Sequence, residues 1–185
     1  MNIAVYCASR DGAKSEYLNI ARQVGEAIAR GNHTLVFGAS DSGMMGAVAH
    51  AVMENGGRAT GVVPDVEGIR EMAYNGLSET LYADTMAARR SAMIERAQGY
   101  ICLPGGIGTL DEISEVMCLN HLKVEKKPIC LINVCGYYDK LRDFLQTAVS
   151  EGFLPEKDFK SWVFVKDAQE AVDFIVKNGG QNGKV

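Results

Sequence analysis

The residues whose types and spacing are best suited to chemistry form the run Pro104-Gly105-Gly106-Ile107-Gly108-Thr109. Glycines let a backbone approach an anion closely, and amide hydrogens at the start of a helix, helped by the helix dipole, attract negative charge. The alternative is a tight turn that needs glycine for its dihedral angles alone. Three glycines in four positions, between an apolar run and a helical pattern, favour a phosphate-binding loop.

This run matches neither of the two common nucleotide motifs. A Walker loop requires Gly-Lys-Ser/Thr, which the run lacks, and a dinucleotide loop places G-x-G-x-x-G after the first strand. At that place the chain has Ala8-Ser9-Arg10-Asp11-Gly12. A nicotinamide enzyme is therefore not expected.

Glu112 and a pair of arginines are the charged residues of interest. Glu112 lies three residues after Thr109, so it either closes a capping box on its own helix or faces the ligand of the loop. In the second case its carboxylate can stabilise a positive, oxocarbenium-like centre. Arg89 and Arg90 are either a solvated basic pair or ligands for phosphate or carboxylate, because a guanidinium forms paired hydrogen bonds.

Length and composition restrict the class of protein. The 185 residues predict one domain over residues 1–177 and a flexible, glycine-rich tail at 178–185. A net charge of −4 argues against binding of polymeric nucleic acid. We expect no signal peptide and no apolar stretch that could span a membrane, and the five cysteines contain no C-x-x-C pair. We therefore expect a cytoplasmic protein without membrane contact.

Short apolar runs alternate with helical patterns along the chain. Strands are predicted at residues 3–7, 34–37, 59–63, 80–82, 100–103, 129–132 and 162–165, and helices at 17–29, 44–54, 85–97, 109–122, 138–149 and 168–176. Residues 65–78 are the least regular and predict a short helix with loops. Continuously apolar strands separated by helices indicate an α/β fold, a Rossmann-like, doubly wound, mainly parallel sheet with helices on both faces.

In such sheets, ligands bind beyond the carboxyl ends of the strands, where the strand order reverses. The loops to consider therefore begin at Ala8, Gly38, Ala83 and Pro104. Two of these loops precede the segments that carry the arginines and Glu112.

Two of these segments together resemble a known family. The run Met86-Ala87-Ala88-Arg89-Arg90, followed after a strand by residues 104–112, is similar to the paired signature of the LONELY GUY (LOG) family. Its members are often labelled lysine decarboxylases but act as phosphoribohydrolases. The resemblance extends over nearly the whole chain, through residues 5–9, 38–46, 133–138 and 151–153.

The resemblance implies a reaction and its residues. Members of the family cleave the N-glycosidic bond of AMP or an N6-modified AMP, giving the free base and ribose 5-phosphate, without a metal or cofactor. Family members are also expected to be homodimers. By similarity, Arg89 and Glu112 would be catalytic, and Met86 and Arg90 would line the base and ribose. The phosphate would be held by Ser9, Gly105, Gly106, Gly108 and Thr109.

Three departures from the family pattern bear on the base pocket. The family's Met-His-x-Arg-Lys lacks its histidine here and has Arg90 for its lysine. The loop at residues 38–43 has fewer glycines than usual and contains Asp41, and Glu-Glu becomes Asp111-Glu112. The arginine and glutamate assigned to catalysis are both retained, whereas the identity of the base stays open.

Two other functions remain as alternatives. A non-catalytic carrier of a nucleotide or of molybdenum cofactor could use the same fold, although it would not need both Arg89 and Glu112. A pyridoxal phosphate decarboxylase would need a positioned lysine, and the lysines of this chain fall in loop or helix-surface patterns. For a homodimer, apolar residues at 44–52 and 93–97 supply either the contact between subunits or the core.

Overall fold

The computed structural model describes residues 1–66 and 73–179, which contain seven strands and seven α-helices. The strands are β1 (Asn2–Tyr6), β2 (Thr34–Phe37), β3 (Arg58–Pro64), β4 (Glu79–Ala83), β5 (Gly99–Cys102), β6 (Ile129–Ile132) and β7 (Trp162–Val165). The helices are α1 (Ser15–Arg30), α2 (Gly43–Glu54), α3 (Met86–Arg96), α4 (Ile107–His121), α5 (Asp139–Ser150), α6 (Glu156–Ser161) and α7 (Ala168–Gly179).

All seven strands pair in parallel, in the order β4-β3-β2-β1-β5-β6-β7. The chain steps outward from β1 to β4 and then returns to the other side of β1 with β5, so the strand order reverses between these two strands. The Ala8 amide donates to the Pro104 carbonyl at 3.1 Å just beyond them. The predicted Rossmann-like, doubly wound sheet is confirmed.

Helices cover both faces of the sheet because its strands are apolar on both sides. Along β1, Ile3 and Val5 pack into a core with α1, α2 and α7, whereas Ala4 and Tyr6 pack into a second core with α3 and α4. The apolar residues at 44–52 and 93–97 that were candidates for a dimer contact belong to these cores: Met44, Val48, Val52, Met93, Ile94 and Ala97.

The predicted elements differ from the structure in a few places. Helix α6 and a 3-10 turn (Val134–Gly136) were not predicted. Helix α7 continues to Gly179, two residues into the predicted tail, and the rest of that tail lies outside the described residues. Residues 67–72, in the segment 65–78 for which a short helix with loops was predicted, also lie outside them. Within the described part of the chain, no helix is long and apolar enough to cross a membrane.

Helix α6 is short and depends on a buried carboxylate. Asp158 is buried and accepts hydrogen bonds from Lys123 Nζ at 2.6 Å and from His121 Nδ1 at 2.7 Å, which follow or end α4. Its partners, Lys123 first and then His121, lower the pKa of Asp158 below its ordinary value. These bonds tie α6 to the carboxyl end of α4.

We expect Asp158→Asn to lower the melting temperature at pH 7, because the uncharged amide loses the attraction of the Lys123 ammonium. A lowered folded-state pKa contributes stability above the unfolded-state value, and this is lost as pH falls through the folded value. Thermal melts between pH 7 and pH 3 should therefore show the difference from wild type shrinking with acid. Asp143→Asn, at an exposed position, is the control; a difference that stays constant over this range contradicts the assignment.

Candidate active site

A cavity of about 420 Å³ opens at the carboxyl edge of the sheet, around the place where the strand order reverses. It is lined by residues 7–10 after β1, residues 38–40 and Met45 after β2, residues 63–64 at the end of β3, Ala73, residues of α3 (Met86, Arg89, Arg90), and residues of the loop before α4 and of α4 itself (Gly106, Gly108, Thr109, Asp111, Glu112). Every site residue inferred from the sequence lines this cavity except Gly105.

Arg89 and Glu112 form a buried ion pair at the base of the cavity. Arg89 Nη1 donates to Glu112 Oε1 at 2.8 Å, and Arg89 Nε donates to the Val62 carbonyl of β3 at 3.1 Å. The two residues are only 6% and 7% exposed. Helix α3, whose first turn is capped when Thr85 Oγ1 accepts from the Ala88 amide, carries Arg89 to this place. Arg89 is therefore not a solvated surface cation.

Glu112 faces the cavity and does not cap its own helix. Helix α4 begins at Ile107 with Gly106 as its N-cap, so Thr109 already lies inside the first turn and cannot be the N-cap of a capping box. The helix starts earlier than the sequence pattern suggested, because the glycines belong to its first turn. The capping-box interpretation of Glu112 is therefore wrong.

The surroundings of Glu112 oppose and favour its charge at once. Burial raises the pKa of the Glu112 carboxyl above its ordinary value, and the guanidinium of Arg89 opposes this rise. Burial raises the pKa of the neighbouring Tyr6 hydroxyl and Cys7 thiol, and the Glu112 carboxylate raises both further. Because an arginine stays charged, ionised Glu112 leaves the pair neutral overall.

Gly38 makes room for the guanidinium. A Cβ at this position, just after β2, would collide with Arg89 Nη2. The sequence marked Gly38 as the start of a ligand loop, but it held no signal that this glycine supports an arginine 51 positions later. The contact follows from the sheet, in which β2 lies beside β3.

The loop at residues 103–109, which follows β5 and is named the phosphate loop after the ligand predicted for it, presents uncapped amides. No side chain caps α4, and the amides of Gly106, Ile107, Gly108 and Thr109 donate to no other described residue. A Cβ at Gly106 or Gly108 would meet nothing within 4 Å, so the space in front of them is open. Gly105 instead lies behind the loop, where a Cβ would collide with the Thr109 side chain.

Arg90 joins α3 to α4. Its Nε donates to Glu115 Oε2 at 2.7 Å, and its Nη1 lies 3.1 Å from Asp111 Oδ2. The hydrogen bond to Glu115 raises the pKa of Arg90. Arg90 lines the cavity with part of its side chain, and Met86, which is half exposed, lies near the cavity mouth.

The residues after β2 form part of an apolar wall of the cavity, and the start of α2 does not face the cavity with free amides. The first turn of α2 is used by the loop after β1, since the Met45 amide donates to the Ala8 carbonyl at 3.1 Å. Asp41 pairs with His50 at 2.6 Å and does not line the cavity. The wall consists of Ala39, Met45, Val63, Pro64 and Ala73.

Arg10 and this apolar wall were not predicted as site residues. Their positions beyond the ends of β1, β2 and β3 were the available signal, but the sequence does not show which side chains face inward. Within residues 1–66 and 73–179, no group of His, Cys, Asp and Glu side chains could hold a metal ion.

We expect Gly38→Ala to lower the free energy of unfolding by about 3 kcal/mol, because its methyl group would displace Arg89 and leave buried charges unpaired. Gly106→Ala is the matched control: it adds a methyl group where nothing lies within 4 Å and should change stability by less than about 1 kcal/mol. Urea unfolding of both variants measures this. Equal stabilities would show that Arg89 does not depend on Gly38.

Comparison with solved structures supports the fold. The molybdenum cofactor carrier protein of Chlamydomonas reinhardtii superposes with a TM-score of 0.71 at 20% identity, covering 97% of this chain and 98% of that one. A molybdenum cofactor binding protein from the phototrophic bacterium Rippkaea orientalis gives a TM-score of 0.71 at 18% identity, covering 95% of each chain. At this identity the likeness concerns the fold alone.

Comparison of sequences gives the family. The profile of the family described as "Possible lysine decarboxylase" matches residues 45–175. The cytokinin riboside 5'-monophosphate phosphoribohydrolase LOG of Oryza sativa subsp. japonica is 37% identical over 170 residues, covering 92% of this chain and 70% of the relative. The cytokinin riboside 5'-monophosphate phosphoribohydrolase of Rhodococcoides fascians is 34% identical over 175 residues, covering 94% and 88%. The chain therefore belongs to the LOG family of phosphoribohydrolases.

Proposed function

We propose that this chain hydrolyses the N-glycosidic bond of a purine nucleoside 5'-monophosphate, AMP or an N6-modified AMP, to the free base and ribose 5-phosphate. The observation that carries this proposal is the buried Arg89–Glu112 pair beside the uncapped amides of the phosphate loop, within one cavity. The relatives named above as phosphoribohydrolases support the same reaction.

The phosphate would bind at the start of α4. The free amides of residues 106–109 and the helix dipole favour an anion there, and the Thr109 and Ser9 hydroxyls can donate further hydrogen bonds. Gly105 would act by leaving the space that the Thr109 side chain fills. Arg10 adds a positive charge to the cavity lining next to Ser9.

The geometry suits a dissociative cleavage. As the bond between C1' and the base breaks, its electron pair leaves with the base, and positive charge develops on C1' and the ring oxygen. The Glu112 carboxylate would stabilise this charge, and Arg89 would keep Glu112 ionised and oriented. Water then adds to C1', and one of its protons ends on the departing base.

The base would lie against the apolar wall of the cavity. Ala39, Met45, Val63, Pro64 and Ala73 offer a surface for a flat, weakly polar ring system. Arg90 and Met86 lie on the side of α3, where the ribose and the edge of the base would come. This wall is compatible with adenine and with adenine that carries an apolar N6 substituent.

A non-catalytic carrier is the second candidate, because the structural neighbours include molybdenum cofactor carriers. The position of Glu112 argues against it: a carrier gains nothing from a buried carboxylate in its cavity, whereas a positive reaction centre makes that carboxylate useful. A pyridoxal phosphate enzyme has no support, because the described cavity lining contains no lysine.

We further infer a homodimer and a cytoplasmic location. Ile107 is 82% exposed, and Leu110 and Met86 are also exposed, which is the kind of apolar surface that a second subunit covers. All five cysteines are free, and three of them are buried as thiols, in agreement with a reducing compartment.

Incubation with AMP, N6-isopentenyl-AMP, GMP, CMP and adenosine, followed by chromatography of base and ribose 5-phosphate, tests the reaction. We expect release of base from the purine monophosphates and little from adenosine, which lacks the phosphate. Glu112→Gln should lower kcat about 10²–10³-fold, because the neutral amide cannot stabilise the cation. Glu95→Gln, exposed on α3, is the matched control. Binding without cleavage, or an undiminished rate in Glu112→Gln, contradicts the proposal.

The pH profile gives an independent test of Glu112. The ionised carboxylate is the active form, so kcat/KM should fall as protonation proceeds at low pH. Because the pKa of Glu112 is raised, the acid limb should have its midpoint above 4.5, the ordinary value. The residual rate of Glu112→Gln should lack this limb. An acid limb that persists unchanged in Glu112→Gln would exclude Glu112 as the titrating group.

A further inference from the structure

Two consecutive tyrosines bind the phosphate loop from the side away from the cavity. The Tyr137 hydroxyl donates to the Gly105 carbonyl, and the Tyr138 hydroxyl donates to the Leu103 carbonyl at 2.6 Å. Neither tyrosine lines the cavity. They follow β6, the strand beside β5, so the sheet brings them to the loop.

The two hydrogen bonds differ in what they do to the backbone. In a trans peptide the carbonyl and the next amide point in opposite directions, and the described residues contain no cis peptide. When Tyr137 holds the Gly105 carbonyl, the Gly106 amide therefore points the other way, and Gly106 lines the cavity. The Leu103 carbonyl precedes Pro104, which has no amide hydrogen, so Tyr138 orients no donor.

The peptide between Gly105 and Gly106 needs such a restraint. Glycine adopts both signs of φ at little cost, so a peptide flanked by two glycines can rotate and exchange its amide for its carbonyl on the cavity side. A carbonyl oxygen facing the phosphate would repel it. A donor on the far side of the loop prevents that rotation.

We propose that Tyr137 is a positioning residue, whose hydroxyl fixes the Gly105–Gly106 peptide so that the Gly106 amide faces the bound phosphate. This inference rests on the proposed function, in which the loop holds a 5'-phosphate. Tyr138 contacts the same loop and supplies stability without orienting an amide.

The Tyr137 ring is held by the turn that precedes it and by contacts with two other aromatic rings. The 3-10 turn before it contains Cys135 at φ 53° and Gly136 at φ 70°, which turns the chain back toward the loop. The ring makes edge contacts with Tyr17, at a centroid distance of 5.8 Å, and with Tyr138, at 5.1 Å. Since the aromatic contacts survive in phenylalanine, the hydroxyl can be removed alone.

Tyr137→Phe and Tyr138→Phe form a matched pair, because each removes one hydroxyl that donates to the same loop. Three measurements are made on the wild type and both variants. Calorimetry gives the Kd for ribose 5-phosphate and for inorganic phosphate, and steady-state kinetics gives kcat and KM for AMP. Urea unfolding gives the free energy of unfolding. We expect Tyr137→Phe to raise Kd and KM roughly tenfold, the effect of one lost hydrogen bond, with kcat within about threefold. Tyr138→Phe should lower stability and leave Kd within about twofold.

The possible outcomes separate this inference from the proposed function. Equal effects of the two variants on Kd, or a Tyr137→Phe variant that changes stability alone, overturn the role of Tyr137. If wild type binds ribose 5-phosphate but cleaves no nucleotide, the hydrolase proposal fails, while the Kd values still decide the role of Tyr137. If wild type binds neither phosphate compound, both proposals are overturned.

Discussion

The buried ion pair of Arg89 and Glu112 sets the conditions that the surrounding structure must meet. Removing two charges from water is costly, and their attraction compensates only if both groups keep good hydrogen bonds. The Val62 carbonyl supplies one of these, and Gly38 leaves the space that the guanidinium fills. The second contact between the same helices, from Arg90 to Glu115, holds α3 against α4. The ion pair therefore depends on four parts of the chain: the end of β3, the glycine after β2, and helices α3 and α4.

A second constraint is that one cavity must attract a phosphate and also contain a carboxylate. The fold separates the two by placing them at different points of α4. The free amides and the positive end of the dipole lie at residues 106–109, whereas Glu112 lies in the next turn and is neutralised by Arg89. The arrangement places the Glu112 carboxylate where positive charge would develop during cleavage, and the free amides where the phosphate would bind.

The sequence predicted the elements well because apolar strands between amphipathic helices leave few alternatives, and even the weak pattern at 80–82 proved to be a strand. It missed α6, since six residues show no helical period and the helix depends on Asp158 contacting His121 and Lys123, which are distant in sequence. Within the site, the glycine-rich turn between β5 and α4 was readable from the sequence, and its binding of phosphate stays a prediction. The capping-box alternative for Glu112 could not be rejected, because the first residue of α4 depends on how the loop turns. The contact of Gly38 with Arg89 was likewise set by strand order.

Two of the departures from the family motif, Asp41 and Ala87, lie outside the lining of the cavity. Asp41 faces His50, and Ala87 is absent from the described cavity lining, so neither would contact a base that lies against the apolar wall. Selectivity for the base would then depend on Met45, Val63 and Pro64, whose apolar side chains reject nothing by hydrogen bonding. A wall of this kind distinguishes ligands by shape alone, and its apolar surface tolerates an added apolar substituent. The physical expectation is therefore a relaxed preference among N6-substituted adenines, combined with a strict requirement for the 5'-phosphate.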